Sequence, residues 1–189
     1  MNSFSRSFFL KASFCIAFTV FFSSCSDENA LEAEINRIPV TIDIDRFDLK
    51  FYNANPEEYI ELKKSYPYLF PNQFPDSIWV KRQRDSIQTL LHAEIKKAYP
   101  SLDPVKEELV SLYKHIKYYF PQIQDPHVVT VVNNVDYQSK TIFTDSLLII
   151  SLDTYLGSKN PLYEGIPKYI VQDMELSLIH ISEPTRLGM

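Results

Sequence analysis

His127-Val128-Val129-Thr130-Val131-Val132 and Leu147-Leu148-Ile149-Ile150-Ser151-Leu152 are the two stretches that decide the fold. The first is a β-branched run between Pro126 and the turn pair Asn133-Asn134, and it reads as a short strand. The second is almost continuously apolar, which predicts a central strand covered on both faces. Between them, Thr141-Ile142-Phe143 reads as a further strand. Beyond them, Asp153 to Asn160 reads as a loop, and Ile166 to Met174 as a weak helix after Gly165.

Upstream the period changes from two to that of a helix. Asn55-Pro56-Glu57-Glu58 is a helix start: Asn55 caps, Pro56 suits the first turn, and Glu58 stands three residues after the cap. That helix runs to about Ser65, before Pro67. Tyr66 to Pro75 holds three prolines among aromatics and predicts an irregular packed segment. Ile78, Trp79, Arg82, Ile87, Leu91, Ile95 and Ala98 follow at helical spacing from Asp76, and Pro100 closes that region. Asp103-Pro104 opens another helix, striped by Val105, Leu109, Leu112, Ile116 and Phe120 and stopped by Pro121. Further upstream, Ile38, Val40, Ile42 and Ile44 alternate with polar residues, which predicts a half-buried strand. Phe47, Leu49 and Phe51 continue the alternation after a bend. Strand, helices, then strands, without internal repeat, predicts an α+β fold: a small mixed sheet packed with helices.

The N-terminal segment has a different character. Arg6 and Lys11 form a basic start, and Ala12 to Phe22 is apolar. That stretch is shorter than the roughly 20 residues of a bilayer span. It fits the apolar region of about 7–15 residues in a secretory signal. It ends in Phe22-Ser23-Ser24-Cys25, which resembles the lipobox recognised by lipoprotein signal peptidase. Phe22, Ser23 and Ser24 are the expected recognition residues, and Cys25 is the expected lipidation site. Acyl chains anchor firmly because each buried CH₂ contributes about 0.8 kcal/mol. The alternatives are a plain cleaved signal with an incidental cysteine and, behind it, an uncleaved membrane anchor. Ser26-Asp27-Glu28-Asn29 is either a soluble tether or loosely resembles an acidic surface-export signal.

The chain has two cysteines, Cys15 in the signal and Cys25 at its end, so a folded domain beyond them has neither disulfide nor thiol nucleophile. At the other end, Leu176 to Arg186 reads LSLIHISEPTR and resembles the translation of a transposase adapter used in DNA library preparation. On that reading His180 and Glu183 enter no site. The expected organisation is a signal peptide over 1–24, an acylated Cys25 and flexible tether over 25–37, an α+β domain over 38–175, and an artefactual tail over 176–189.

Net charge is −5, so nucleic acid is not an expected partner. Hydrophobic residues at 45% and aromatics at 14% favour a packed core over disorder. Three glycines are too few for a Gly-rich phosphate loop. None of His92, His115, His127 and His180 sits in H-E-x-x-H, so no metal site is expected. His92 and His115 read as structural or solvated histidines. Ser146 lacks a nucleophile elbow and reads as a cap or turn. Asp43 with Asp45, or Asp145 with Asp153, could pair around a cation, but a wet strand face and a strand end explain them more simply. Lys81-Arg82-Arg84 reads as a solvated helix face. Tyr66, Tyr68, Phe70, Phe74 and Trp79 read as core, with a peptide-binding groove as the second reading. No catalytic residue and no cofactor are expected.

Four phrases then carry a resemblance: IDRFDLKFYNANPEE (Ile44 to Glu58), YPYLFPNQFPDSIW (Tyr66 to Trp79), HIKYYFP (His115 to Pro121), and DSLLIISLDTYLG with PLYEGIPKYI (Asp145 to Gly157, Pro161 to Ile170). Together they resemble the gliding motility lipoprotein GldB family, over Arg37 to Asp173. The resemblance implies a lipoprotein needed for surface gliding in Gram-negative bacteria, within machinery associated with an outer-membrane secretion system. It implies a fold distantly similar to zincin-like peptidases, without a demonstrated catalytic residue set. Family members continue past this sequence, which implies a domain truncated at its C-terminus. Expected partners are other motility or secretion proteins of the envelope, and the membrane through the lipid anchor. Three functions compete: an envelope component working by protein contact, a zincin-like peptidase whose active helix lies beyond Glu175, and a ligand-capturing surface lipoprotein.

Overall fold

The computed structural model describes residues 26–144 and 146–175, and for residues 26–29 the backbone only. Four strands form one mixed sheet in the order β1-β2-β4-β3: β1 (Ile44–Asp45), β2 (His127–Val131), β3 (Thr141–Phe143) and β4 (Leu147–Ser151). β1 and β4 run parallel to β2, the latter in register from His127 opposite Leu147 to Val131 opposite Ser151. β3 is antiparallel to β4, with Ile142 opposite Ile149. The described helices are α1 (Ser26–Ile35), α2 (Phe47–Asn53), α3 (Pro56–Ser65), α4 (Asp76–Gln83), α5 (Ser86–Ala98), α6 (Asp103–Tyr119) and α7 (Lys168–Val171). The parallel step from β1 to β2 is made by α2 to α6, the long crossover that parallel neighbours require. The fold is α+β, a small mixed sheet with helices packed on it.

Period two along β2 builds two cores. Val128 faces a cluster with Ile42, Ile95, Leu109, Leu148 and Ile150, supplied by α5, α6 and β4. Val129 faces an aromatic cluster with Phe47, Tyr59, Tyr66 and Phe70, supplied by α2, α3 and the proline-rich segment. A smaller cluster of Tyr163, Val171 and Met174 packs the end of the described chain. Each fully buried aliphatic side chain contributes about 1.5–3 kcal/mol relative to exposure.

The capping box at Asn55 forms as its spacing predicts: the Asn55 side chain accepts from Glu57 and Glu58 N–H, and Glu58 accepts from Asn55 N–H at 2.9 Å. Four other expectations are corrected. Phe47 to Phe51 is helical, because Phe47 and Phe51 stack one turn apart, with ring centroids 5.7 Å apart, and Asp48 between them is buried. The alternation from Ile38 yields paired strand only at Ile44–Asp45, opposite Val128 and Val129. The helical pattern from Asp76 to Ala98 is two helices, because the Asp85 side chain turns back to cap Ile87 N–H. The segment expected as a flexible tether forms α1, and Ile35 at its end is buried.

β4 also departs from the expected two-sided burial. Leu148, Ile150 and Ser151 are buried, whereas Leu147 and Ile149 are half-buried. The incompletely covered face is the one that the aromatic cluster shares.

Candidate functional site

β2 and β4 end side by side at Val131 and Ser151. Where they end, a cavity of about 330 Å³ opens against the aromatic cluster. Its sheet side is Val131, Ile149 and, from β3, Ile142; its aromatic side is Phe47, Phe51, Tyr68, Phe70 and Trp79. Polar groups converge on it from Asp48, Arg82, Gln88, His92 and Asn133. An apolar cavity with a few directed polar groups is the usual form of a ligand site.

The aromatic side follows from the prolines. Pro67, Pro71 and Pro75 prevent a continuous helix between α3 and α4, so the chain lays Phe70 across α2. The Phe70 ring lies 5.9 Å from Phe47, 6.0 Å from Phe51, 5.6 Å from Tyr59 and 5.2 Å from Trp79. Most of these contacts are tilted or edge-to-face, the arrangement ring quadrupoles favour. Of the aromatics expected as core or groove, Tyr68, Phe70 and Trp79 line the cavity. Tyr66 is buried beside Phe47, and Phe74 is exposed against Trp79.

Arg82 corrects the reading of Lys81-Arg82-Arg84 as a solvated face. Its Nη2 donates to the Val132 carbonyl at 2.8 Å, and its guanidinium carbon lies 6.0 Å from the Trp79 ring centre. Burial lowers its pKa, and attraction to Asp153 opposes that fall. Lys81 and Arg84 are exposed.

Asp48 and His92 form the buried polar part. Asp48 accepts from Arg46 Nε at 2.9 Å, Arg46 Nη2 at 2.7 Å and Thr130 Oγ1 at 2.5 Å. His92, on α5, is 6% exposed. It has no hydrogen-bond partner at either ring nitrogen among the described residues, and its Nδ1 is sealed from solvent. Burial pushes its pKa down to about 4; Asp48 opposes the fall and Arg46 reinforces it. The imidazole is therefore neutral at neutral pH, with one nitrogen able to donate and the other to accept. Gln88, also buried, donates to the Asn134 side chain.

The remaining candidates disperse. Asp153 is fully buried, and its carboxylate accepts from Asn133 N–H and Val135 N–H, holding the turn where Asn134 and Val135 have φ of 55°. Asp45 pairs with Lys50 at 2.6 Å, and Asp43 lies exposed near Lys106. Ser146 offers its carbonyl to His127 N–H. His115 contacts Glu32 at 3.2 Å on the surface. Among the described residues no group of three or more His, Cys, Asp or Glu is placed to hold a metal ion. Phe22, Ser23, Ser24, Cys25, Asp145, His180 and Glu183 lie outside the described residues.

Sequence reasoning missed Asp48 and the burial of His92. A buried acid between two phenylalanines at i and i+4 was the available signal, but it competes with a period-two reading of the same residues.

The structure thus defines an α+β domain with a preformed apolar-aromatic pocket at the end of its parallel strands. Residues 28–182 match the family described as gliding motility protein GldB, and the chain belongs to that family of motility lipoproteins. No curated protein and no solved structure matches the chain. Among the described residues no helix is long and apolar enough to cross a membrane.

Proposed function

We propose that this motility-family chain is a lipid-anchored component of the Gram-negative cell envelope, at the outer membrane. It works by protein–protein contact within the gliding machinery and its associated secretion proteins. The observation that carries the reading is the family match over residues 28–182, which begins three residues after Cys25. Cys25 becomes the acylated N-terminus, α1 leads from it, and the α+β unit over 38–175 presents the contact surfaces. Half-exposed apolar residues on α4 and α5, among them Ile78, Ile87 and Leu90, support a role in contact.

Two measurements separate the parts of this reading. Cys25→Ala is expected to abolish labelling by a fatty-acid analogue and to release the chain from membranes; persistent labelling would refute the anchor. Crosslinking of the wild-type chain in gliding cells is expected to capture envelope motility proteins. A chain that restores gliding to a deletion strain without capturing any of them would refute the contact mechanism.

A further inference from the structure

We propose that the cavity at the ends of β2 and β4 is a binding site for a monocarboxylate carrying an aromatic body. The inference goes beyond the envelope role and does not depend on the anchor.

Asp48 lines the cavity, but Arg46 neutralises it with two hydrogen bonds. Arg82 is the cavity's other charged side chain, and it takes part in no ion pair among the described residues. Among the described residues its guanidinium donates to the Val132 carbonyl. A guanidinium has five N–H donors, so most of them remain for a ligand, and their planar fork matches a carboxylate. Asp153 lies near enough to attract Arg82, but its own oxygens are occupied by backbone N–H groups.

His92 is the second, independent observation. It is more than nine-tenths buried, lines the cavity, and makes no hydrogen bond among the described residues. A buried polar group without a partner costs about 1–3 kcal/mol. Nδ1 has no accessible surface, so the nitrogen open to a ligand is Nε2, and a carboxylate in the cavity can accept from Nε2–H.

The aromatic body follows from shape and wall. A volume of about 330 Å³ is near the lower limit of ligand pockets, so the ligand is compact. Trp79 ties the two ends together: it packs against Phe70 at 5.2 Å and sits under the Arg82 guanidinium. A carboxylate held by Arg82 therefore places an adjoining ring among Phe47, Phe51, Phe70 and Trp79, at edge-to-face distance. Two sources share this chemistry: a small aryl carboxylate, and an aromatic residue at the free C-terminus of a peptide.

Trp79 is the chain's one tryptophan, so its fluorescence reports on the cavity directly. The full chain in detergent is titrated with 3-phenylpropionate, 3-phenylpropanamide, acetate, and a pentapeptide ending in phenylalanine with a free carboxylate. A saturable emission change is expected with phenylpropionate. The amide should bind about tenfold more weakly, the worth of one charge-assisted hydrogen bond, and acetate should show no saturable effect. Binding of the pentapeptide as well assigns the site to chain termini; binding of phenylpropionate alone assigns it to small acids. Arg82→Gln is expected to weaken phenylpropionate binding to the level of the amide. Because Arg82 also braces Val132, Ile142→Glu gives a second test: Ile142 is half-exposed at the cavity's edge, and a like charge there should weaken the acid more than the amide. The proposal is overturned if neither carboxylate produces a saturable change up to millimolar concentration, or if acid and amide bind equally.

Discussion

Tyr52 lies nearly parallel to His92, with ring centroids 4.0 Å apart and planes 29° from each other. The stack brings α2 against α5 and covers one face of the imidazole. It helps explain how a histidine without a hydrogen-bond partner is tolerated: the ring is neutral and behaves as a flat apolar surface.

The pH dependence of folding follows. The folded-state pKa of His92, about 4, lies below its ordinary 6.5. The unfolded chain therefore takes up the proton first. The His92 contribution is fully present above about pH 6.5, declines as pH falls, and is exhausted once pH passes below about 4. At 1.36 kcal/mol per unit the loss is about 3 kcal/mol. His92→Phe keeps the stack and removes the titration. Between neutral pH and pH 4 the wild type should lose more stability than the variant, so the gap between their melting profiles should change by about that amount. Parallel profiles would show that His92 does not titrate as the geometry requires.

Asp48 is the residue on which the α2–β2 junction depends. Its side chain is fully buried and takes hydrogen bonds from Arg46 and Thr130. Asp48→Ala strands the partly buried Arg46 and should cost about 3 kcal/mol or more. Thr130→Val removes one hydroxyl donor and should cost about 1 kcal/mol. Because the two residues share one network, the double variant should lose less than the sum. Denaturant unfolding of the three variants measures this, and strict additivity would contradict the hydrogen bond.

How far the sequence carries depends on whether the deciding interaction is local. The Asn55–Glu58 box was legible because all its partners lie within one turn. β2, β3 and β4 were legible because Pro126, Asn133-Asn134 and the apolar run mark their limits. Phe47 to Phe51 was not: apolar residues at 47, 49 and 51 fit a strand, and 47 with 51 fit a helix. Burial of Asp48 by Thr130, 82 positions away, accompanies the helical outcome. The pocket was half legible. Tyr68, Phe70 and Trp79 announced an aromatic surface. Arg82 was assigned to solvent because its partner, the Val132 carbonyl, is 50 positions distant.

The apolar stripe of α6 offers a test of that helix's orientation. Leu109 is fully buried, whereas Phe120, on the same predicted stripe and at the C-cap of the helix, is 54% exposed. Leu109→Ala should cost about 2–5 kcal/mol through the cavity it leaves. Phe120→Ala should stay within about 0.5 kcal/mol. Comparable losses at both positions would mean that the end of α6 is covered.

His115 connects α6 to α1, the helix that leads toward Cys25. Its Nδ1 faces the Ser111 carbonyl at 2.8 Å and its Nε2 faces Glu32 at 3.2 Å. The Ser111 contact first, and Glu32 second, raise its pKa above the ordinary 6.5. The sign is opposite to that of His92: this contribution is fully present below about pH 6.5 and is lost as pH rises through the raised folded value. Both side chains are well exposed, at 40% and 54%, so solvent screening limits the pair to about 1 kcal/mol at most. Glu32→Gln should lower the His115 pKa in an NMR titration without returning it to the ordinary value, since the Ser111 carbonyl remains. Added salt should lower the wild-type value and leave the variant nearly unchanged. A His115 pKa indifferent to both Glu32→Gln and salt would mean that α1 is not held to α6 through this contact, leaving Lys114 Nζ on the carbonyl of Asn36, just past α1, as the remaining polar link among the described residues.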